Sequence, residues 1–416
     1  MASSGHYMID LRVRIKAFAP EIGFADGIGR DKEGDEVNEK ERSMPKSPRL
    51  TPLMASLPST VPFVGAEAIE RTRGRPFKAR IGANESVFGP SPKAIAAMQA
   101  AAATESWLYG DPENHDLKAA LAKHAGVRPE NIVVGEGIDG LLGLTVRLMA
   151  DPGTPIVTSE GGYPTFDYHV AGHGARFVRV PYVDDRENLP GLVDALISAD
   201  APLGYFANPD NPMASWWWGD EVARELSRVP EGSLFILDEA YGEFAPEGTL
   251  PTTIDADDPR IIRFRTFSKA YGMAGLRVAY GIAAPEVAKA FDKIRNHFGV
   301  NRIAQAGALA ALDDGEWLAR VIAAVNRSKA RIAAIAAENG LVALPSATNF
   351  VAVDCGGDGA FAKRVLDGLI ARDLFVRKPW LAPIDRCIRL SAGTDADLDL
   401  LAAAMPGALA EARAAE

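Results

Sequence analysis

The chain has 416 residues, of which 47% are hydrophobic and 24% charged, and a formal net charge of −10. That length supports two domains, and the acidic balance without a dense basic stripe argues against a nucleic-acid partner. The two cysteines, Cys355 and Cys387, lack a CxxC pairing, which excludes a disulfide framework and a cysteine zinc site and fits a reducing cytoplasm; no apolar run reaches the length of a membrane span, and no secretory-signal core is present.

Residues 1–47 differ from the rest. Arg30 to Lys46 is dense in charge and poor in large apolar side chains, so an extension without fixed structure is expected, with translation from Met44 as the alternative. Asp116 to Ala125 reads as an amphipathic helix. The strand Asn131 to Val134 follows, then the glycine-containing loop Gly135 to Gly140 and a helix through Leu148. Further short apolar runs read as strands: Pro155 to Thr158, Phe177 to Val180, Leu203 to Phe206, Leu234 to Leu237, Ile261 to Phe264 and Val278 to Ile282. Buried strands alternating with helices imply an α/β domain with a mostly parallel sheet, whose ligands bind at the carboxyl ends of the strands. From about Asn301 the pattern changes to alanine-rich helices, Ile303 to Asp313 and Trp317 to Asn339. The strand Asn349 to Val353, the helix Gly359 to Arg372 and strands near Phe375 to Arg377 and Cys387 to Leu390 complete a smaller α+β domain.

The groups that could carry chemistry fall mostly just after these strands. Lys269 sits among small and hydroxyl residues in Arg265 to Arg277. Held in a pocket, its amine can lose a proton and attack a carbonyl to form a Schiff base. With Arg277 nearby, the pair points to a ligand bearing a carbonyl and a phosphate, which describes pyridoxal phosphate; a helix-start lysine with an ordinary surface arginine is the plainer alternative. Asp238, at the end of an apolar strand, could keep a pyridine nitrogen protonated, and Tyr241 could donate to a ring oxygen. A capping Asp-Glu pair would look the same. Asn208 to Pro212 is a rigid turn that can fix an amide beside a ligand. The loop Gly135 to Gly140 resembles a phosphate cradle at a helix start and lacks the GxxxxGK[ST] pattern of a nucleotide loop. Tyr163 could stack on a planar ring or pack in the core. Arg389, in an apolar strand, needs an anionic partner, either a structural carboxylate or a ligand's acid group. His169 and His173 have half the spacing of a helical metal site, but no third ligand accompanies them, so no metal is expected. Trp216, Trp217 and Trp218 could wall an entrance or a subunit contact.

Taken in order, these segments resemble the fold-type I pyridoxal-phosphate aminotransferases of class I/II, and within them the histidinol-phosphate aminotransferase group. The resemblance runs from about Leu50 to the C-terminus. It includes Ile81 to Ser86, Phe88 to Pro92, and Tyr109-Gly110-Asp111-Pro112. It implies a large domain (91–300) around a mostly parallel seven-stranded sheet, a smaller α+β domain (301–416) and an N-terminal segment (48–90) joined to the latter. Lys269 would hold the cofactor and later carry a proton between substrate and cofactor carbons. Asp238 would pair with the ring nitrogen, Tyr241 and Asn211 with the ring oxygen, and Tyr163 would stack on the ring. Gly137, Ile138, Thr266, Ser268 and Arg277 would hold the phosphate, joined by Tyr109 from the partner of a homodimer. Arg389 and Asn84 would bind the substrate's acidic group and Arg377 a substrate phosphate. Three departures stand out: Met213-Ala214 replaces Thr-Gly, Ile138 replaces serine or alanine, and the three tryptophans are additional.

The implied function is a cytoplasmic aminotransferase that moves an amino group from a small-molecule donor to a 2-oxo acid, with histidinol phosphate and 2-oxoglutarate as the best pair. Aromatic or other amino acids are the alternative substrates, and a decarboxylase or lyase on the same fold is the alternative reaction. Arg377, Met213 and the residues around Trp217 are expected to decide the substrate.

Overall fold

The computed structural model describes residues 48–59 and 64–415, so the expectation for residues 1–47 lies outside the described residues. Residues 48–59, in a unit that ends at Phe63, contain one short helix, Pro52–Ser56, capped by Thr51. The unit from Val64 onward carries all three sheets.

A two-residue strand, β1 (Ala79–Arg80), comes first. The main sheet follows with β2 (Ile132–Gly135), β3 (Pro155–Ser159), β4 (Arg176–Val180), β5 (Leu203–Ala207), β6 (Leu234–Asp238), β7 (Ile261–Thr266) and β8 (Ala279–Ile282). Their order is β2-β8-β7-β6-β5-β3-β4, and only β8 runs antiparallel to its neighbours. The central strands are buried on both faces, so they read as unbroken apolar runs in the sequence. Alternate residues serve the two faces. Leu203, Tyr205, Leu234, Ile236, Ile262 and Phe264 pack with helices Gly137–Met149 and Pro164–His173. Phe206, Phe235, Leu237 and Ile261 pack on the other side, with helices Leu189–Ser198 and Gly219–Leu226. Each such side chain, once fully buried, contributes on the order of 1.5–3 kcal/mol.

The parallel strands β2, β3, β5, β6 and β7 end at one edge of the sheet, which gathers the residues that follow them. The register sharpens this. Ala207 lies opposite Asp238, and Asp238 opposite Phe264. Gly135 and Thr266 both face Ala279 of β8. The antiparallel pairing of β7 with β8 makes their connection leave and return at this same edge, so Lys269 and Arg277, which lie on it, both stay there.

The C-terminal sheet, β9 (Val342–Ala343), β10 (Phe350–Asp354) and β12 (Cys387–Ser391), is antiparallel in the order β12-β10-β9. It packs Val351, Val353, Ile388 and Leu390 against helices Gly315–Glu338, Gly359–Ala371 and Asp395–Ala414. β1 pairs in parallel with β11 (Leu374–Phe375), which carries the segment after β1 to β12. The expected strand through Arg377 stops at Phe375; Arg377 makes only an isolated bridge to Arg389. Helix Arg302–Leu312, grouped by sequence with the smaller domain, buries Ala304, Ala308 and Ala311 with Ile132, Val134 and Tyr280 of the main sheet. Among the described residues no helix is long and apolar enough to cross a membrane.

Candidate active site

Asp238 closes β6 and is 5% exposed. Its Oδ2 accepts from the Tyr205 hydroxyl at 2.9 Å and its Oδ1 from the Ala240 N–H at 3.0 Å. Burial pushes its pKa up to about 6, against the pull of those donors and of Lys269. It is therefore a carboxylate at neutral pH, held in an apolar wall by two hydrogen bonds.

Lys269 lies three residues beyond β7, with its Nζ donating to the Asn84 carbonyl at 3.3 Å and standing 5.6 Å from the centre of the Tyr241 ring. Burial, then the neighbouring Arg389 and Arg277, lower its pKa to about 8. An amine poised near neutrality can serve as a nucleophile and then as a proton carrier.

Asn84 organises the space between the two sheets. It sits at φ 58°, a left-handed conformation that asparagine tolerates better than most residues. Its Nδ2 donates to the Tyr241 hydroxyl at 2.9 Å, and its Oδ1 accepts from Ser391 Oγ at 2.9 Å. Asn349 Nδ2 donates to the same Asn84 carbonyl that Lys269 uses, at 3.1 Å. Because Asn84 donates to the Tyr241 oxygen, the phenolic proton of Tyr241 remains available to a ligand.

On β12, Arg389 Nη1 donates to Asn211 Oδ1 at 2.6 Å and Nη2 to the Gly82 carbonyl at 3.0 Å, while Nε is buried without an acceptor. These partners are neutral oxygens, so the structural ion pair offered by the plainer reading of Arg389 is not what holds it. Burial depresses its pKa to about 10. Arg377 is tied to it through the backbone: Arg389 N–H donates to the Arg377 carbonyl at 2.6 Å. The Arg377 guanidinium donates to the Val64 carbonyl at 3.0 Å.

Across the main sheet, helix Gly137–Met149 begins without a side-chain cap, so its first N–H groups face the edge where the strands end. Gly137 has φ 79°, and a Cβ there would overlap the Arg277 guanidinium. Arg277 Nη1 donates to Ser268 Oγ at 3.4 Å, and Thr266 Oγ1 donates to the same oxygen at 3.0 Å. An uncapped helix start, an arginine and two hydroxyls form an anion cradle. Ile138 turns its side chain into the sheet core and leaves only its N–H to this site. Tyr163 caps helix Pro164–His173 between Asp238 and Arg277, whose charges both act on its hydroxyl; burial pushes that hydroxyl up to about 12.

Two expectations change. Met213, 1% exposed, packs its side chain among Ala352, Ile384 and Cys387, a cluster apart from the one that holds Tyr241 and Ala270. Trp217 is a strut rather than an entrance wall. Its backbone N–H donates to Asn208 Oδ1 at 2.8 Å, its carbonyl accepts from Asn208 Nδ2 at 3.1 Å, and its Nε1 donates to the Glu187 carbonyl at 2.9 Å. Asn208 N–H in turn donates to the Asp238 carbonyl at 2.9 Å. His169 Nε2 pairs with Asp139 at 3.0 Å and His173 Nε2 with the Ala150 carbonyl at 2.6 Å. Tyr109 is 77% exposed, its ring 4.8 Å from that of Phe298, and it lies outside the cluster around Lys269.

Sequence reasoning missed Tyr205, Asn349 and Ser391. Tyr205 looked like core because it lies in an apolar strand. The only local signal for Asn349 was a polar Thr348-Asn349 pair opening an apolar strand.

A seven-stranded sheet with one antiparallel member, carrying a half-buried lysine, a buried aspartate and an anion cradle at one edge, defines a fold-type I aminotransferase. The profile of the aminotransferase class I and II family matches residues 78–405, and the chain belongs to that family. It is 36% identical over 336 residues to histidinol-phosphate aminotransferase 1 of Mesorhizobium japonicum, covering 79% of this chain and 89% of that protein. It is 35% identical over 330 residues to histidinol-phosphate aminotransferase of Anaeromyxobacter sp., covering 78% and 90%. The crystal structure of histidinol-phosphate aminotransferase from Sinorhizobium meliloti in complex with pyridoxal-5'-phosphate matches with a TM-score of 0.85 and 54% identity, covering 90% of this chain and all of that one.

Proposed function

We propose that this aminotransferase uses pyridoxal phosphate to exchange an amino group between histidinol phosphate and 2-oxoglutarate. The observation that carries the substrate reading is that Arg377, bridged to Arg389 by a backbone N–H···O bond of 2.6 Å, lies near enough for its charge to act on Arg389, whose Nε is buried and unsatisfied. Two adjacent cations, one of them held only by neutral oxygens, suit a substrate with acidic groups. The names of the relatives at 35–54% identity support the same choice.

The residues present fit the cofactor. The cradle of Gly137, Ile138, Thr266, Ser268 and Arg277 suits its phosphate, and the left-handed Gly137 gives Arg277 the room that a Cβ would take. When bound, pyridoxal phosphate supplies a protonated ring that accepts the electron pair left on the substrate α-carbon as its proton departs. Asp238, ionised above about pH 6, would keep the ring nitrogen protonated. Tyr241 and Asn211 would donate to the ring oxygen. The Asn211 amide oxygen is committed to Arg389, which leaves its NH₂ group to donate. Tyr163 would cover the ring face. Lys269 would hold the cofactor and, once released, would carry the proton between the substrate α-carbon and the cofactor carbon, a role that an amine near pH 8 can perform. Arg389, with Asn84 beside it, would seat the acidic group, and Arg377 the phosphate.

A homodimer in which Tyr109 of one subunit completes the phosphate site of the other is supported by the exposure of Trp107 (80%) and Tyr109 (77%) and by the contact of Tyr109 with Phe298. Two buried free thiols are consistent with a cytoplasmic setting.

The test is the Lys269→Ala variant assayed with histidinol phosphate and 2-oxoglutarate. Loss of turnover and of the visible absorbance of the lysine-linked cofactor is expected; retained turnover would overturn the reading. A wild-type enzyme that prefers an aromatic amino acid to histidinol phosphate would overturn the substrate alone.

A further inference from the structure

Two buried carboxyls beside the Asn211 turn have no part in the chemistry above. Glu187 and Asp210 are each 1% exposed, and their side chains lie within hydrogen-bond reach of one another. The donors around them are neutral. Asp210 accepts from the Tyr182 hydroxyl at 2.8 Å and from the Met213 N–H at 3.0 Å. Glu187 accepts from Ser159 Oγ at 2.7 Å and faces the Ala207 amide, while its Oε1 is buried without a hydrogen-bond partner. Of the other ionisable groups facing the pair, the Tyr205 hydroxyl is committed to Asp238, Arg186 stacks on the Trp217 ring at 4.1 Å, and Arg389 acts on Asp210 from β12.

Two carboxylates in contact inside a protein cannot both carry charge, so such a pair retains a proton. The hydrogen-bond pattern says where it resides. Asp210 already has a hydroxyl and an amide donating to it. Glu187 has an oxygen lacking any donor, and a proton on that oxygen turns it into a donor toward Asp210. Burial and the Asp210 charge together push the Glu187 acid well above the ordinary carboxyl range.

We propose that Glu187 is a neutral acid donating to an ionised Asp210, and that this single buried negative charge positions Arg389 and Asn211 for the substrate. Asp210 is the residue before Asn211, whose Oδ1 receives Arg389 Nη1 at 2.6 Å. The charge is therefore carried one residue from the neutral contact that aims the guanidinium, near enough for Arg389 to act on it. Trp217 braces the unit by holding the Glu187 carbonyl. Both carboxyls are positioning residues; neither touches the reacting atoms. The positioning role rests on the assignment of Arg389 to the substrate's acidic group, whereas the shared proton does not.

The experiment compares infrared spectra and kinetics of the full-length holoenzyme with those of Glu187→Gln and Asp210→Asn. At pH 8 the wild type minus E187Q difference should show a carboxylic-acid carbonyl stretch, because the amide replaces a neutral acid. The side-chain amide of E187Q can still donate to an ionised Asp210, so the KM for the acidic substrate should rise by no more than about threefold, whereas D210N, which removes the charge near Arg389, should raise it by about tenfold with a smaller change in kcat. Absence of the acid band, or a KM in E187Q as high as in D210N, overturns the proposal. In Arg389→Met a raised KM is expected. An unchanged KM there would overturn the substrate role of Arg389, and with it the positioning, while the infrared band would still report the shared proton.

Discussion

The hydroxyl of Tyr205 donates to Asp238 Oδ2 at 2.9 Å, one strand away, in a wall sealed by the stacking of Tyr205 on Phe166 at 4.5 Å. That bond keeps a fully buried carboxylate oriented without neutralising it.

Asp238 has a folded-state pKa raised to about 6, so its contribution to stability is fully present below the ordinary carboxylate range and is lost as pH rises through about 6. In the cofactor-free protein, Asp238→Asn should remove that loss. An asparagine can accept from Ala240 and donate to the Tyr205 oxygen. The variant should melt above the wild type at pH 8, by on the order of 2–3 kcal/mol in stability, and the two should converge near pH 4. The same variant should bind pyridoxal phosphate more weakly and turn over far more slowly. Melting curves across pH check the first effect; identical curves at every pH would count against a raised Asp238.

The Lys269 amine, lowered to about 8, becomes the free base as pH rises through that value. The rate at which cofactor-free protein develops visible absorbance with pyridoxal phosphate should climb through about pH 8. Arg389→Met removes one of the cations that disfavour the charged amine, so the profile should move to higher pH. Burial, the larger cause, remains, and the amine should stay below its ordinary value. A profile unmoved in R389M would show that Arg389 has no influence on Lys269.

Gly137→Ala tests the anion cradle. The new Cβ would overlap the Arg277 guanidinium, which is the flexible end of its side chain and can swing away. The left-handed φ of 79° adds strain, of about 1 kcal/mol, which the fold can absorb. The expected outcome is a folded protein whose affinity for pyridoxal phosphate, measured by titration, falls by about tenfold or more because Arg277 has left the site. Wild-type affinity would mean that the phosphate binds elsewhere.

Tyr109→Ala tests the shared site. If each site borrows Tyr109 from the partner subunit, mixtures of K269A and Y109A should recover activity that neither parent has, because one site of a mixed dimer is then intact. Mixing after mild dissociation, followed by assay, checks this. No recovery in confirmed mixed dimers would confine Tyr109 to its own subunit.

The main sheet was legible because β-strands buried on both faces appear as short apolar runs, a local property of the chain. The groups at the strand ends, Asp238, Thr266, Ser268, Lys269 and the Gly137 loop, were legible for the same reason: once the strands are placed, the residues that follow them must share an edge. Sequence alone thus determined the α/β class and the candidates for the reactive lysine, the ring-nitrogen partner and the phosphate cradle. Tertiary structure decided what depends on pairing between distant segments. Asn84 meets Ser391 across 307 residues because β1 pairs with β11 and β10 with β12, and no local pattern encodes those registers. It also decided which way side chains point. Met213 turned into a core, Trp217 became a strut, Tyr205 in an apolar strand proved to be the support of Asp238, and Glu187 met Asp210 in a space where two carboxyls can hold only one charge.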